Sequence, residues 1–388
     1  MPATTSARAD LGHRPRRIRV LLTLLALVAG SALAYLPGQS AHAMLPDRWG
    51  YGYLDPSGPL PGPLTNSITS VSSVGQVSGG GGSYLVRFPG VAAGQGVVHV
   101  TAIAKTGNPV PQPPAWCEPD AWFPSGADEM VKVSCWVQGA GTVSPFATGF
   151  SINWLSATYT GPSNPDLAYA QSDGASGLLA QFDSAGAPLS VSHGGPGVYQ
   201  IKLPLVGPTG SALGGDLQVT GQVQASGAPA RCKVGNWVNV GGTQLPTILC
   251  FNAVTGTPAD TRWSLTYQFK LDLRGLSPFG WGYFWQHSGA PILTNFDSVT
   301  SWGTVVSGPV APAGVTVKMP SIGPAATPFS EANVTAYGSG PGFCRLGELG
   351  GGPPWFNAGG TLLIRSVDCF TGSGGALPTD FFVTYTSK

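Results

Sequence analysis

The spacing of the six cysteines is the feature that most constrains the fold of this 388-residue chain. They form three successive pairs, Cys117/Cys135, Cys232/Cys250 and Cys344/Cys369. A tryptophan follows the first cysteine of each pair, at Trp122, Trp237 and Trp355, and an aromatic residue directly follows the second cysteine each time. A pattern that recurs at intervals of more than a hundred residues predicts three copies of one structural unit.

Other short motifs recur in the same order around each pair. A Val-Thr segment precedes each pair, and an aromatic alternation closes each unit. The Val-Thr segments are His99–Ala104, Gln218–Val223 and Asn333–Gly338, and the closing segments are Phe150–Trp154, Trp263–Tyr267 and Phe381–Tyr385. The repeats predict three tandem domains at residues 44–163, 164–275 and 276–388.

Alternation of apolar and polar residues predicts that these segments are strands. Trp263–Arg274 alternates over twelve positions, which is typical of a strand with one buried and one solvated face. The predicted fold is all-β, with three small antiparallel sandwich or barrel domains that each hold one disulfide. We expect Gly79–Val86 to be a flexible linker. The short joints Pro162–Asp166 and Gly275–Gly280 predict that neighbouring units pack together.

The N-terminus has the pattern of a secretory signal peptide. Four arginines between residues 14 and 19 precede the apolar run Val20–Leu36, and Ala41–Ala43 is a small-x-small cleavage pattern. The run is short for a membrane anchor, which needs about 20 apolar residues. We therefore predict that residues 1–43 are removed, with Ala32–Ala34 as an alternative cleavage pattern. The mature protein is then secreted, without a membrane span, and either diffuses away or stays at the envelope.

Export makes a disulfide the expected state of each cysteine pair. A zinc site is disfavoured because the chain has no CxxC motif and no histidine near the pairs. Closing a loop of this size stabilises a fold by about 3 kcal/mol in the chain-entropy model. We expect three internal disulfides and no bound metal.

Charge disfavours nucleic acid as a partner. Removing residues 1–43 takes away five arginines and one aspartate, which changes the formal net charge from +1 to −3. Nucleic-acid binding needs concentrated positive charge to displace counterions from phosphates.

Catalytic motifs are not evident in the sequence. His99, His193 and His287 stand at non-equivalent positions of the units, and each is expected to be a partly exposed surface residue. The first unit has an acidic group, Glu118, Asp120, Asp128 and Glu129, which we interpret as solvated surface. We predict a non-enzyme with no catalytic residue and no cofactor.

Aromatic residues are the remaining candidates for a binding site. The recurring Trp122, Trp237 and Trp355 are expected in the core, since repetition is what core packing predicts. Trp116, Trp285 and Trp302 do not recur, so they are the candidate ligand contacts. A cell-wall polysaccharide or another secreted protein would be the partner.

The chain resembles secreted tandem-repeat β proteins of actinobacterial type. The resemblance depends on four features: the arginine-rich leader, the aromatic openings such as Trp49–Tyr53, the Val-Thr strands and the C…W…C pairs. That group has no established activity, so the resemblance implies no site residues. The leading hypothesis is an exported, non-catalytic binding or structural protein of the cell surface or medium. The alternatives are an array of carbohydrate-binding modules and a secreted hydrolase with a site between domains.

Overall fold

The computed structural model describes residues 48–54, 64–67, 76–104, 113–157, 166–272, 280–303, 305–310, 314–327, 329–347 and 354–387. The predicted signal peptide lies outside the described residues, as do most of the two predicted joints. The described chain is all-β, with 27 strands, two short 3-10 turns at Ile292–Thr294 and Gly323–Ala325, and no α-helix. Among these residues, no helix is long and apolar enough to cross a bilayer.

The strands fall into three groups along the chain. The first group is β1 (Arg48–Leu54), β2 (Thr65–Asn66), β3 (Gln76–Gly80), β4 (Ser83–Phe88), β5 (Val97–Ala104), β6 (Ala115–Ser125), β7 (Asp128–Gln138), β8 (Val143–Pro145) and β9 (Gly149–Ser156). The second group is β10 (Leu167–Ser172), β11 (Leu178–Asp183), β12 (Ser190–Gly195), β13 (Val198–Lys202), β14 (Asp216–Gly221), β15 (Ala230–Val240), β16 (Thr243–Asn252) and β17 (Trp263–Gln268). The third group is β18 (Gly280–Gln286), β19 (Asn295–Asp297), β20 (Ser301–Trp302), β21 (Val306–Val310), β22 (Gly314–Met319), β23 (Ser330–Ala336), β24 (Phe343–Gly347), β25 (Trp355–Ala358), β26 (Thr361–Phe370) and β27 (Phe381–Ser387).

Each group pairs its strands in the same order. One sheet joins the opening, closing and Val-Thr strands: β2-β1-β9-β5, β11-β10-β17-β14 and β20-β19-β18-β27-β23. The other sheet holds the two cysteine strands: β3-β4-β7-β6, β12-β13-β16-β15 and β21-β22-β26-β24. The two cysteines of each pair lie directly opposite each other on neighbouring antiparallel strands.

All three predicted disulfides are present, and each lies within one strand group. They join Cys117 to Cys135, Cys232 to Cys250, and Cys344 to Cys369. The third bond differs from the expectation in its surroundings. Cys369 lies in β26, whose sheet continues through β24 into β5 and the other strands of the first group. The pairing of Cys369 is therefore confirmed, but the sheet that holds it spans two groups instead of ending within the third.

The three groups join edge to edge in a closed ring. We call β5, β14 and β23 the axial strands, because each lies beside a cysteine strand of another group. β5 pairs in parallel with β24. Tyr337, just after β23, forms a parallel bridge to Val234 of β15, and the Val223 N–H, just after β14, donates to the Pro119 carbonyl of β6. The first group thus contacts the third, the third the second, and the second the first. Ala43–Lys388 accordingly forms one compact unit, and its division into three domains stays a prediction.

Ring closure explains why the predicted wet face of Trp263–Arg274 is wrong. β17 ends at Gln268, and all six of its residues are buried. Polar side chains of β17 contact strands of the other groups instead of water: Thr266 Oγ1 lies 2.7 Å from His99 Nε2 of β5, and Gln268 Nε2 donates to Thr384 Oγ1 of β27 at 2.8 Å. The sequence pattern indicates a strand with one buried and one solvated face, whereas the joined strand groups bury both faces of β17.

The axial strands meet through polar side chains at equivalent positions. One side chain of each axial strand is hydrogen bonded to a side chain of another: His99 Nδ1 to Thr220 Oγ1 at 3.1 Å, Thr335 Oγ1 to Gln218 Oε1 at 3.0 Å, and Thr101 Oγ1 to Asn333 Oδ1 at 3.2 Å. The expectation that His99 is a surface residue is therefore wrong, since it is 1% exposed. Burial lowers the pKa of His99 to about 3, so its imidazole is neutral at physiological pH.

The predicted linker at Gly79–Val86 is also wrong, because the segment is a hairpin. β3 and β4 pair in register from Gly80 opposite Ser83. Gly81 and Gly82 form the turn between them with φ values of 63° and 97°, which favour glycine. The glycine run that resembles a linker in sequence is thus the end of β3 followed by the tight turn of the hairpin.

Candidate functional site

Three side chains converge at one end of the axial strands. Trp116, Arg231 and Phe343 each stand directly before the first cysteine of a disulfide, so they occupy equivalent positions in β6, β15 and β24. The guanidinium carbon of Arg231 lies 3.8 Å from the centroid of the Trp116 ring and 4.1 Å from that of Phe343. The two rings come from the two other groups and meet edge to face, with centroids 5.5 Å apart, so the guanidinium contacts both of them; we call these three residues the arginine stack.

Hydrogen bonds tie the arginine stack to the other two groups as well. Arg231 Nη1 donates to the Gly372 carbonyl at 3.1 Å, and Nη2 donates to Gln138 Oε1 at 2.6 Å. Arg231 is 6% exposed, and its Nε has no partner among the described residues. Burial lowers its pKa to about 9, partly offset by Glu118, so the guanidinium stays charged at neutral pH.

A small cavity adjoins the arginine stack on the axis of the ring. It has a volume of about 50 Å³. The lining contains the first cysteine of every disulfide together with residues of all three axial strands and the arginine stack. We call it the axial cavity.

A larger groove opens at the same end of the ring. Its volume is about 490 Å³, within the range of ligand sites. Loops from all three groups line it: Gln138 and Gly141 from the first, Val254–Gly256 from the second, and Gly340–Gly342, Thr371–Ser373 and Leu377 from the third. None of these residues carries a formal charge. We call it the axial groove.

Local turn chemistry holds the groove loops in place. The Asn252 side chain accepts hydrogen bonds from the backbone N–H groups of Val254 and Thr255 at 2.9 and 3.0 Å. A Cβ atom on Gly372 would lie 2.7 Å from Pro341 Cγ, so only glycine lets these two loops approach each other. The groove is therefore built on rigid, closely packed turns.

Two of the four acidic residues expected at the surface of the first group are instead buried. Glu118 is 1% exposed and accepts from the Ala230 backbone N–H at 3.1 Å with each oxygen. Burial raises the pKa of Glu118 well above its ordinary value. Glu129 is fully buried and accepts from the Ala93 N–H at 3.1 Å, and burial raises its pKa to about 7. The prediction is wrong here because the neighbouring group covers the start of β6 and the loop after β4 covers Glu129.

The other two acids keep closer to the expectation. Asp128 accepts from the Gly90 N–H at 2.9 Å and from Arg87 Nε at 2.6 Å, and these contacts lower its pKa. Asp120 is half-buried and accepts from the Ser134 hydroxyl at 3.0 Å. The acids do not converge on one point, and the described residues contain no group of three or more possible metal ligands.

Asp216 of the axial strand β14 is a buried carboxyl group whose effect on stability can be measured. It is 1% exposed, and one carboxyl oxygen accepts from Gln218 Nε2 at 2.8 Å while the other has no partner in the described chain. Burial raises its pKa to about 7 from the ordinary 3.8. Because the folded state holds the proton more tightly than the unfolded state does, this carboxyl lowers stability as the pH rises from about 4 through 7.

We therefore expect Asp216→Asn to raise the free energy of unfolding at pH 8 by about 2 kcal/mol and to change it little at pH 4. Urea unfolding at the two pH values measures this difference. Asp173→Asn makes the same charge change at an exposed residue and serves as the control. Equal effects of the two substitutions at pH 8 would show that the Asp216 carboxyl is not strained by burial.

Two of the three candidate ligand aromatics are buried. Trp116 is 5% exposed and Trp285 is 3% exposed, so neither presents a ring face at the surface. Trp285 of β18 packs against Trp237 of the second strand group and Phe382 of its own group. Trp302 is half-buried, and its ring stacks on Phe269 at 5.6 Å.

Two of the three recurring tryptophans lie in the core, as predicted. Trp237 and Trp355 are 2% and 1% exposed, which confirms the core assignment for both. Trp122 is half-buried against the core of the first group.

Two histidines form pairs with aspartates at the surface. His193 Nε2 lies 2.8 Å from Asp260 Oδ1, and His287 Nδ1 lies 2.6 Å from Asp380 Oδ2. The His287 ring also stacks on Trp285 at 4.5 Å. Within the described ranges, no serine, threonine or cysteine is hydrogen bonded to the second nitrogen of either ring, as a catalytic triad requires.

The axial groove and the arginine stack are the features that sequence reasoning missed. A signal was present, because Trp116, Arg231 and Phe343 share one position of the repeat. That signal becomes a site only once the three units close into a ring. No family model, curated protein or solved structure matches the chain.

Proposed function

We propose that this chain is an exported, non-catalytic binding or structural protein of the cell surface or medium, and that the axial groove is its binding site. One observation carries the proposal: the groove is the place where loops from all three strand groups meet above a common, disulfide-braced frame. Three disulfides and no free cysteine suit an oxidising compartment.

The chemistry of the groove favours an uncharged polysaccharide as the partner. Its lining combines the hydroxyl groups of Thr255, Thr371 and Ser373 with the apolar surfaces of Pro341 and Leu377. Hydroxyl and backbone groups can exchange hydrogen bonds with sugar hydroxyls, while apolar side chains contact the C–H faces of a sugar ring. An acidic or basic ligand would find no opposite charge in the lining.

A pull-down on insoluble polysaccharides and cell-wall material tests this proposal with the chain that begins at residue 44. We expect saturable binding that Val254→Glu weakens at least tenfold, since Val254 is 47% exposed in the groove wall and the new carboxylate adds bulk and an unpaired charge. The matched control is Val240→Glu. Val240 is 62% exposed and lies at the end of β15 opposite to Arg231, outside the groove lining.

Two outcomes would contradict the proposal. Equal binding by both variants would place the polysaccharide elsewhere on the surface, with Trp302 as the next residue to change. If no glycan or wall fraction binds the folded protein, the polysaccharide partner is wrong, and a second secreted protein becomes the partner to seek.

A further inference from the structure

Two residues that line the axial cavity each have a buried donor without an acceptor in the described chain. Arg231 lines it, and its Nε–H has no partner in the described chain. Trp116 lines the same cavity, and its indole N–H has none either. Buried donors without acceptors are costly, so such groups normally meet a water molecule or an ion.

Arg231 and Glu118 are the ionisable residues in the lining of the cavity. Within 4 Å, Arg231 has no carboxylate among the described residues, and its two terminal nitrogens donate to a neutral carbonyl and a neutral amide. Glu118 also lines the cavity, with Asp120 and Arg231 as its charged neighbours. Each of its oxygens already accepts the Ala230 N–H, and burial favours its uncharged form. Because an uncompensated buried charge is costly, a counterion would stabilise this buried guanidinium.

The size of the cavity restricts that counterion to a small one. About 50 Å³ accommodates a halide ion or a few water molecules and excludes a sugar or a peptide. Gly342 lines both the axial cavity and the axial groove, so the two adjoin and solvent ions can approach from the groove.

We propose that the axial cavity is a binding site for one small monovalent anion of halide size, held by Arg231 Nε–H and the Trp116 indole N–H. The anion neutralises the guanidinium that joins the three strand groups, so its binding stabilises the closed ring. This site is separate from the polysaccharide groove, and either can exist without the other.

Diffraction from crystals of the chain that begins at residue 44, soaked in sodium bromide, tests the site directly. We expect an anomalous peak in the axial cavity beside Arg231. Water there with bromide confined to the protein surface would overturn the proposal.

Thermal unfolding tests the energetic role in solution. At constant ionic strength, replacing gluconate, which is too large for the cavity, by chloride should raise the unfolding temperature by several degrees. Trp116→Phe keeps the ring over Arg231 but removes the N–H, so it should weaken the chloride effect severalfold. Trp154→Phe removes another buried and unpartnered indole N–H outside the cavity, and it should leave the effect unchanged.

Equal unfolding temperatures in chloride and gluconate for the unmodified protein would overturn the proposal, as would equal chloride effects in the two tryptophan variants. If Trp116→Phe does not fold, the bromide map and the comparison of the two salts in the unmodified protein still decide the matter.

Discussion

Replacing Arg231 with alanine is expected to lower the free energy of unfolding by about 4 kcal/mol. The substitution removes the cation that contacts the Trp116 and Phe343 rings, and each such contact is worth about 2 kcal/mol when it is desolvated. It also leaves Gln138 Oε1 and the Gly372 carbonyl without their donor and opens a cavity the size of the lost side chain. These losses are partly offset because a buried charge no longer has to be desolvated.

Urea unfolding followed by tryptophan fluorescence measures the change. Arg262→Ala in the same strand group is the control, since Arg262 is exposed and its loss should alter stability by no more than about 0.5 kcal/mol. Arg231→Met separates shape from charge, because methionine fills much of the volume and can still contact both rings. If Arg231→Ala unfolds at the same urea concentration as the control, the arginine stack does not hold the ring together.

The cysteine spacing predicted the parts of the fold that depend on near neighbours in the sequence. Cys232 and Cys250 are separated by 18 residues, which is enough for two strands and a turn, and they lie opposite each other in that hairpin. Burial on alternate residues of β4 likewise follows from its sequence. Hairpins of this kind are local, so local patterns predict them.

The sequence could not predict which edges of the units join. Leu346 pairs with Ile103, and no local pattern indicates that two residues so far apart in the chain are partners. This pairing places Cys369 in a sheet shared by two groups, although its bond to Cys344 follows the sequence pattern. Contacts between groups likewise bury polar residues of the axial strands such as His99. These residues look like a solvated face in sequence because nothing nearby shows that a second sheet edge covers them.

The candidate site depends on the same distant contacts. Arg231 looks like a variant of Trp116 and Phe343 when the repeats are compared, and on one isolated unit an arginine there would be a surface residue. Only in the closed ring do the three non-identical side chains meet, and there their differences are complementary. A site of this kind requires that the repeats diverge, and comparison of the repeats singled out Trp116 but not Arg231 or Phe343 as its partners.

Removing all three disulfides is expected to have the largest effect, because they brace the same end of the ring. Cys117, Cys232 and Cys344 all line the axial cavity. The closed loops have sequence separations of 18, 18 and 25 residues, and each bond is worth about 3 kcal/mol in the chain-entropy model. Together they contribute about 9 kcal/mol, which is comparable to the whole stability of a typical protein.

We therefore expect the chain with all six cysteines changed to alanine to lose its cooperative unfolding transition at 25 °C, as measured by near-UV circular dichroism in increasing urea. A chain that lacks only Cys117 and Cys135 should still fold, with a free energy of unfolding lower by about 3 kcal/mol. Alanine is the suitable replacement because five of the six cysteines are buried and Cys232 is partly buried, so that serine would add unpaired hydroxyl groups. A six-alanine chain that unfolds cooperatively at the urea concentration of the unmodified protein would show that strand pairing around the ring holds this end together without the disulfides.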